Sequence, residues 1–272
     1  MFPGMGGFDP TLAKVAADCG VPTVTIRYPH WTVLSDDAGY DFDALVRSAT
    51  DQIAARLPAG AILLAGYSFG GIVAGAVAAR LRDAGIPVRF LGLLDSEIQP
   101  DIDNRRGATQ RRRGIRRQEF LGFLSAMRQG DGIGRIAYFV SRAIKEPRWR
   151  PVLDLYGRLP RRLLPRNFSR LLDRDLLFWH FIPLLRQWER IFDDLAPLPV
   201  QTFLFRTSQH DASAPDHLGW GRLCPDLTIV AMPGTHHELI VRTLPAMRAA
   251  FTQAVSEVLE PSEDATVYQE AN

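Results

Sequence analysis

The sequence predicts an α/β protein: a mostly parallel sheet flanked by helices and interrupted by a helical insertion. Three observations carry that expectation. Through residues 1–100, short β-rich apolar runs alternate with longer stretches of helical spacing, the pattern of parallel strands joined by crossover helices. The same alternation resumes near residue 200. Between the two blocks, residues 98–197 are rich in Arg, Leu, Trp and Phe and contain no clear strand.

In chain order, residues 21–28 (VPTVTIRY) are β-branched enough for a first strand, and residues 41–57 have helical spacing. Residues 61–66 (AILLAG) form a continuous apolar run suited to a strand buried on both faces, followed by a helix over residues 69–84. Residues 88–94 (VRFLGLL), 200–206 (VQTFLFR) and 227–232 (LTIVAM) are three more strands. Residues 238–259 carry Leu239, Ile240, Leu244, Met247, Phe251, Val255 and Val258 at helical spacing. The expected organisation is a core of residues 1–97 and 198–260, a helical lid over residues 98–197, and a frayed polar tail over residues 261–272 (PSEDATVYQEAN).

Composition removes several function classes. A chain of 272 residues with 46% hydrophobic content can bury a large core, which argues against disorder as its dominant state. Cys19 and Cys224 are far apart and show no metal-binding spacing, so a reducing cytoplasm is the expected compartment and neither a zinc site nor a disulfide framework is expected. No apolar run approaches the roughly 20 residues needed to span a bilayer. The net charge of +2 is unevenly spread, with seven arginines between Arg105 and Arg117 (RRGATQRRRGIRR). That segment reads either as a solvated basic face or as a surface for an acidic partner. Zinc-finger spacing and an RNA-binding strand are missing, so a nucleic-acid role is not expected.

The sharpest local signal is Gly66-Tyr67-Ser68-Phe69-Gly70, a G-x-S-x-G with an apolar run before it and a helical stretch after it. In that setting it is the nucleophile elbow of the α/β-hydrolase fold: a strained strand-to-helix turn lifts the serine hydroxyl above the sheet, and the glycines let the neighbouring backbone pack closely. A serine hydroxyl is a weak nucleophile at neutral pH. It needs a histidine to accept its proton and an acid to hold that histidine in one tautomer.

Gly234-Thr235-His236-His237 follows the last predicted strand and supplies two candidate bases, His236 and His237. His30, His180, His210 and His217 have no comparable setting and read as surface or supporting residues. Two carboxylates could be the acid. Asp95 ends the strand VRFLGLL, while Asp211 lies in the loop after VQTFLFR, and position alone does not separate them. An oxyanion hole needs two backbone N–H groups, which Phe69 and, from the glycine-rich turn FPGMGG, Met5 can supply.

With these motifs in hand, the chain resembles the thioesterase domains that release products from nonribosomal peptide and polyketide synthases. The resemblance runs from Phe2 to about Phe251 and rests on FPGMGG, LLAGYSFGG, LGLLDSE and MPGTHHELI. It implies His236 over His237, because the family's histidine is the second residue after the glycine, and Asp95 over Asp211, because chain-terminating members carry the acid on the strand after the nucleophile helix. Free-standing editing relatives place the acid one strand later, at the position of Asp211. The resemblance further implies a strand ahead of the oxyanion loop; this chain opens at Met1-Phe2, so the sheet is expected to be truncated on its N-terminal side. It also implies no bound cofactor or metal, a substrate presented on phosphopantetheine, and an acyl or peptidyl carrier protein as partner, with Arg105 to Arg117 as its docking surface. Aromatic residues of the lid, among them Phe120, Phe123, Trp149, Trp179 and Trp188, would partly line an acyl channel.

Two other readings stand beside this one. A carboxylesterase or lipase-like enzyme would keep the triad and act on small oxygen esters. A non-catalytic protein would use the arginine segment to bind an acidic partner. The acyl group, and the choice between hydrolysis and cyclisation, are not encoded in any motif of the sequence.

Overall fold

The computed structural model describes residues 1–7, 9, 11–29, 41–56, 62–98, 194–210 and 215–259, with isolated positions between 155 and 192. Its elements in chain order are α1 (Leu12–Val15), α2 (Phe42–Ala54), β1 (Ile62–Tyr67), α3 (Phe69–Asp83), β2 (Val88–Leu94), β3 (Gln201–Thr207), β4 (Leu227–Met232) and α4 (Leu244–Leu259). The four strands lie in the order β1-β2-β3-β4 and all pair in parallel. Every described strand therefore presents its carboxyl end at one edge of the sheet, where open α/β sheets assemble their sites.

Alternation along the strands divides the core in two. Leu64, Leu91, Leu93 and Leu204 point to the face covered by α2 and α3. Ala65, Tyr67, Phe90, Leu94, Phe203 and Phe205 point to the face covered by α1 and α4, as a period of two requires. On that second face Phe90 stacks on Phe203 at 5.5 Å and meets Phe251 edge-on at 5.5 Å.

The helices follow local chemistry. Helix α2 starts at Asp41, whose carboxylate accepts from the Ala44 N–H at 2.7 Å, and buries Phe42, Leu45, Val46, Ala49, Thr50 and Ile53 at helical spacing. Helix α3 is buried along nearly its whole length, which its run of Gly and Ala permits by letting the backbone lie close to the sheet.

Two expectations fail here. Residues 21–28 are not a strand: Ile26 N–H donates to Met1 O and Tyr28 N–H to Gly7 O, but Pro3 and the turn that follows carry the neighbouring segment away. Their β-branched side chains have too short a partner for a ladder, and the described sheet on that side ends in a single parallel bridge from Phe2 to Gly66. The last helix begins at Leu244 instead of at residue 238. Pro245 explains the delay, since a proline fits the first turn of a helix but inside one would remove a hydrogen bond and clash with the preceding turn. Thr243 closes the preceding turns by donating its hydroxyl to the carbonyls of Glu238 and Leu239. The expected lid falls outside the described residues except at isolated positions; of these, Leu176, Leu177 and Phe192 pack into the core on the α3 face. The tail from 261 onward and the segment from Arg105 to Arg117 lie outside them entirely. Among the described residues, no helix is long and apolar enough to cross a membrane.

Candidate active site

The turn from β1 to α3 is made by one residue, Ser68, at φ 55° and ψ −124°. L-residues rarely adopt that conformation, and holding it costs about 1–3 kcal/mol. Its surroundings enforce it. The Ser68 N–H donates to Leu94 O at 2.9 Å, continuing the β1-β2 ladder one residue past the strand, and the Gly71 N–H donates to Ser68 O at 3.0 Å. Any side chain at the two flanking glycines would collide with backbone: a Cβ on Gly66 would sit 2.1 Å from Gly70 O, and one on Gly70 would sit 2.2 Å from Phe2 O. The Ser68 side chain makes no capping bond to α3, although serine is a favoured capping residue.

One strand over, Asp95 follows β2 at φ 50°, a left-handed conformation that Asp tolerates better than most residues, and its N–H donates to Phe205 O at 2.9 Å. Its side chain is fully buried. Oδ1 accepts from the Thr207 N–H and hydroxyl, each at 2.8 Å, and from His210 Nε2 at 3.0 Å. Oδ2 accepts from His236 Nδ1 at 2.7 Å and Gln209 Nε2 at 3.3 Å. Burial alone would raise the pKa of this carboxyl, but hydrogen bonds from His210, His236 and Thr207 outweigh it and hold the group well below the usual carboxylate range. Asp95 is therefore an ionised acceptor at neutral pH.

His236 lies four residues past β4, two strands away from β2 in the sheet, or roughly 10 Å at the usual strand spacing. Three contacts draw it back. Its N–H donates to Gln209 Oε1 at 2.8 Å, its carbonyl accepts from the Tyr67 hydroxyl at 2.8 Å, and its ring stacks on the Tyr67 ring at 4.7 Å. Glu238 closes the loop by accepting from both the N–H and the hydroxyl of Thr235 at 3.0 Å, one half of a capping box. Because a carboxylate can only accept, the His236 nitrogen facing Asp95 carries the proton, which leaves Nε2 as the basic atom. His237 is exposed and meets His236 edge-on at 5.4 Å.

The glycine-rich segment lies over the elbow. Gly7 N–H donates to Gly4 O at 3.0 Å, closing a turn that contains the half-buried Met5, and a Cβ on Gly4 would sit 3.7 Å from Ser68 Cβ. Tyr28 anchors this segment by donating its hydroxyl to Pro3 O at 2.8 Å while its ring meets Phe69 edge-on. Phe69 opens α3, so its N–H lies in the first turn, where backbone donors have no partner within the helix. Among the described residues, no group of three or more His, Cys, Asp or Glu is arranged to hold a metal ion.

Residues 2–132 match the family model described as Thioesterase domain. Solved structures match over nearly the whole chain. The Vlm2 thioesterase domain bound with a dodecadepsipeptide is 21% identical, covering 93% of this chain and 90% of that one with a TM-score of 0.57. The NocB thioesterase domain, in covalent complex with a fluorophosphonate nocardicin G analog, is 19% identical, with coverages of 96% and 93% and a TM-score of 0.59. A four-domain nonribosomal peptide synthetase, AB3403, matches 96% of this chain over 19% of its own length, at 17% identity and a TM-score of 0.55. The chain resembles thioesterase domains of nonribosomal peptide synthetases. No curated protein sequence matches it.

In this thioesterase-like chain, Ser68, Asp95 and the histidine loop stand at the ends of β1, β2 and β4, and Asp95 and His236 are in direct contact. Asp211 falls outside the described residues, but its neighbour His210 is bonded to Asp95. His217 is engaged within its own loop, where its Nδ1 accepts from the Gly219 N–H at 3.1 Å. Sequence reasoning missed the parts played by Tyr67, Thr207 and Gln209, and by Trp220, which is fully buried and donates to Ser96 O at 2.9 Å behind the acid. A usable signal did exist for two of them, as for His210: Thr207, Gln209 and His210 directly end or follow the strand that a parallel order sets beside β2.

Proposed function

We propose that this chain is a serine-dependent thioesterase that releases an acyl, peptidyl or polyketide chain from the phosphopantetheine arm of a carrier protein. The observation that carries the reading is the 2.7 Å bond from His236 to the buried Asp95, with the His236 ring held against the Tyr67 ring next to the strained Ser68. In the proposed cycle, His236 Nε2 takes the Ser68 proton as Oγ attacks the thioester carbonyl. The tetrahedral oxyanion is stabilised by the N–H groups of Phe69 and Met5. Collapse of the intermediate breaks the carbon–sulfur bond, and His236 returns the proton to the departing pantetheine thiolate. Water, or a nucleophile within the bound chain, then attacks the Ser68 ester with His236 again as base, which gives a free acid or a ring. Asp95 stays ionised throughout and stabilises the imidazolium.

On this reading the protein works in the cytoplasm beside a synthase, and the arginine-rich stretch from Arg105 to Arg117 meets the carrier's acidic surface, contributing more to encounter rate than to affinity. The likeness to the Vlm2 and NocB domains supports the reading, since those are thioesterase domains crystallised with a depsipeptide and with a fluorophosphonate.

The test is intact mass spectrometry after incubation with acyl-pantetheine thioesters, alongside turnover of the matching nitrophenyl esters. Wild-type protein should gain one acyl group, and Ser68→Ala should gain none and lose turnover on the order of 10⁶-fold. Faster turnover of the oxygen esters would move the protein to the carboxylesterase reading. Wild-type-like turnover by Ser68→Ala would end both.

A further inference from the structure

We propose that Gln209 and His210 are positioning residues that bind the acid and the histidine loop into one rigid unit; the proposal rests on the reading of Asp95 and His236 as an acid–base pair. The need for such a device follows from topology. His236 arrives from β4, while Asp95 stands at the end of β2, so β3 lies between them. The loop leaving β3 runs between them, and among the described residues it carries the contacts of Gln209 and His210.

Gln209 faces both partners with opposite ends of one amide. The His236 N–H can only donate, so the atom 2.8 Å from it is Oε1, and the amide NH₂ is thereby directed at Asp95 Oδ2, 3.3 Å away. One planar group thus sets the distance from the histidine backbone to the same carboxylate oxygen that the His236 ring must reach. His210 acts on the other oxygen. Its Nε2 lies 3.0 Å from Oδ1, where Thr207 already donates twice, and only 13% of its side chain is exposed. With three donors fixing Oδ1 and two on Oδ2, the carboxylate has no room to rotate, because five donors meet about four lone-pair sites. A second imidazole on the same acid is a feature that the triad chemistry itself does not need.

Four variants separate hydrogen bonding from packing. His210→Phe keeps the ring and removes the donor, while His210→Gln returns an N–H near the Nε2 position. Gln209→Met keeps length and removes both bonds, and Gln209→Glu keeps the acceptor for His236 but sets a second carboxylate against Asp95. Two readouts are taken on the full chain: the second-order rate of labelling by a fluorophosphonate probe, and the downfield proton resonance of His236 Nδ1–H in its bond to Asp95. Thermal unfolding identifies the folded variants. We expect His210→Phe and Gln209→Met each to slow labelling by roughly 10–10²-fold, the scale of a misplacement of about 1 Å, and to move or broaden the resonance. His210→Gln should recover most of both, and Gln209→Glu should be at least as slow as Gln209→Met.

An unmoved resonance with wild-type labelling in His210→Phe and Gln209→Met overturns the proposal. So does a folded His210→Gln that behaves like His210→Phe, since returning the N–H would then have restored nothing. If the wild type shows the resonance and the variants move it, but nothing labels Ser68, the positioning role stands and the hydrolase reading falls. Should His210→Phe fail to fold, Gln209→Met and His210→Gln decide the matter by the same two readouts.

Discussion

Replacing Asp95 with Asn preserves the side-chain shape and removes the charge, and the surroundings dictate how the new amide must sit. The Thr207 N–H, 2.8 Å from Oδ1, cannot change from donor to acceptor, so the amide oxygen has to face it. The amide NH₂ is then forced to the Oδ2 position, opposite His236 Nδ1 at 2.7 Å and Gln209 Nε2 at 3.3 Å. Donor confronts donor unless His236 moves its proton to Nε2, and that tautomer has no lone pair left to accept from Ser68. The expected loss is about 10⁴-fold in rate, or about 5 kcal/mol of transition-state stabilisation. Two charge-assisted bonds, each worth about 1.5–3 kcal/mol, also weaken or vanish, so unfolding in urea should show a loss of about 2–5 kcal/mol. The assay is fluorophosphonate labelling together with thioester turnover, with Asp211→Asn measured beside it and expected to keep the wild-type rate. An Asp95→Asn protein within tenfold of wild type beside an inactive Asp211→Asn would refute this reasoning and move the acid to the loop after β3.

His236→Ala should be as damaging as Ser68→Ala by the same labelling assay, whereas His237→Ala, which alters an exposed ring, should keep most of the activity; the reverse ranking would mean that the other imidazole serves Ser68. Tyr67→Phe keeps the stack under His236 but deletes the bond to its carbonyl, a net contribution of about 1 kcal/mol, and should lower the labelling rate by about tenfold or less with little change in fold. Burial pushes the Cys224 thiol from 9.0 up to about 11, so folding favours the neutral thiol. That contribution to stability is complete below pH 9 and is lost as pH rises through about 11, so denaturation midpoints should drop in this window for the wild type and less for Cys224→Ala. At pH 8 only about one folded Cys224 in a thousand is a thiolate, so its alkylation should follow global unfolding.

What could be read in the sequence had its cause close by along the chain. Ser68 stood out because an apolar run, two glycines and a helical stretch all fall within a short distance of it, and β2 and β3 because buried parallel strands need continuous apolar runs. Residues 21–28 misled because β-branched content reports what a strand tolerates and says nothing of whether a partner lies alongside. Leu239 and Ile240 fit a helical spacing with Leu244, but their residues form turns, since Pro245 and the Thr235–Glu238 bonds favour a later start. Gln209 and His210 are unremarkable polar residues until β3 is set beside β2. Only then does Asp95, 114 positions from Gln209 and 115 from His210, become their common acceptor.

The parallel order β1-β2-β3 has a consequence for how such a scaffold can change. Nucleophile, acid and clamp occupy successive rungs spaced roughly 4.8 Å apart, a ruler made of main-chain hydrogen bonds. The long stretch between Glu97 and Leu195 departs after Asp95 has already been pinned to Phe205 O, and the chain rejoins the sheet at β3. The spacing of the rungs is set by the strands' own main-chain bonds and not by the length of that stretch. Foreign sequence grafted into that stretch, away from the core positions Leu176, Leu177 and Phe192, should therefore leave the 2.7 Å contact between Asp95 and His236 in place.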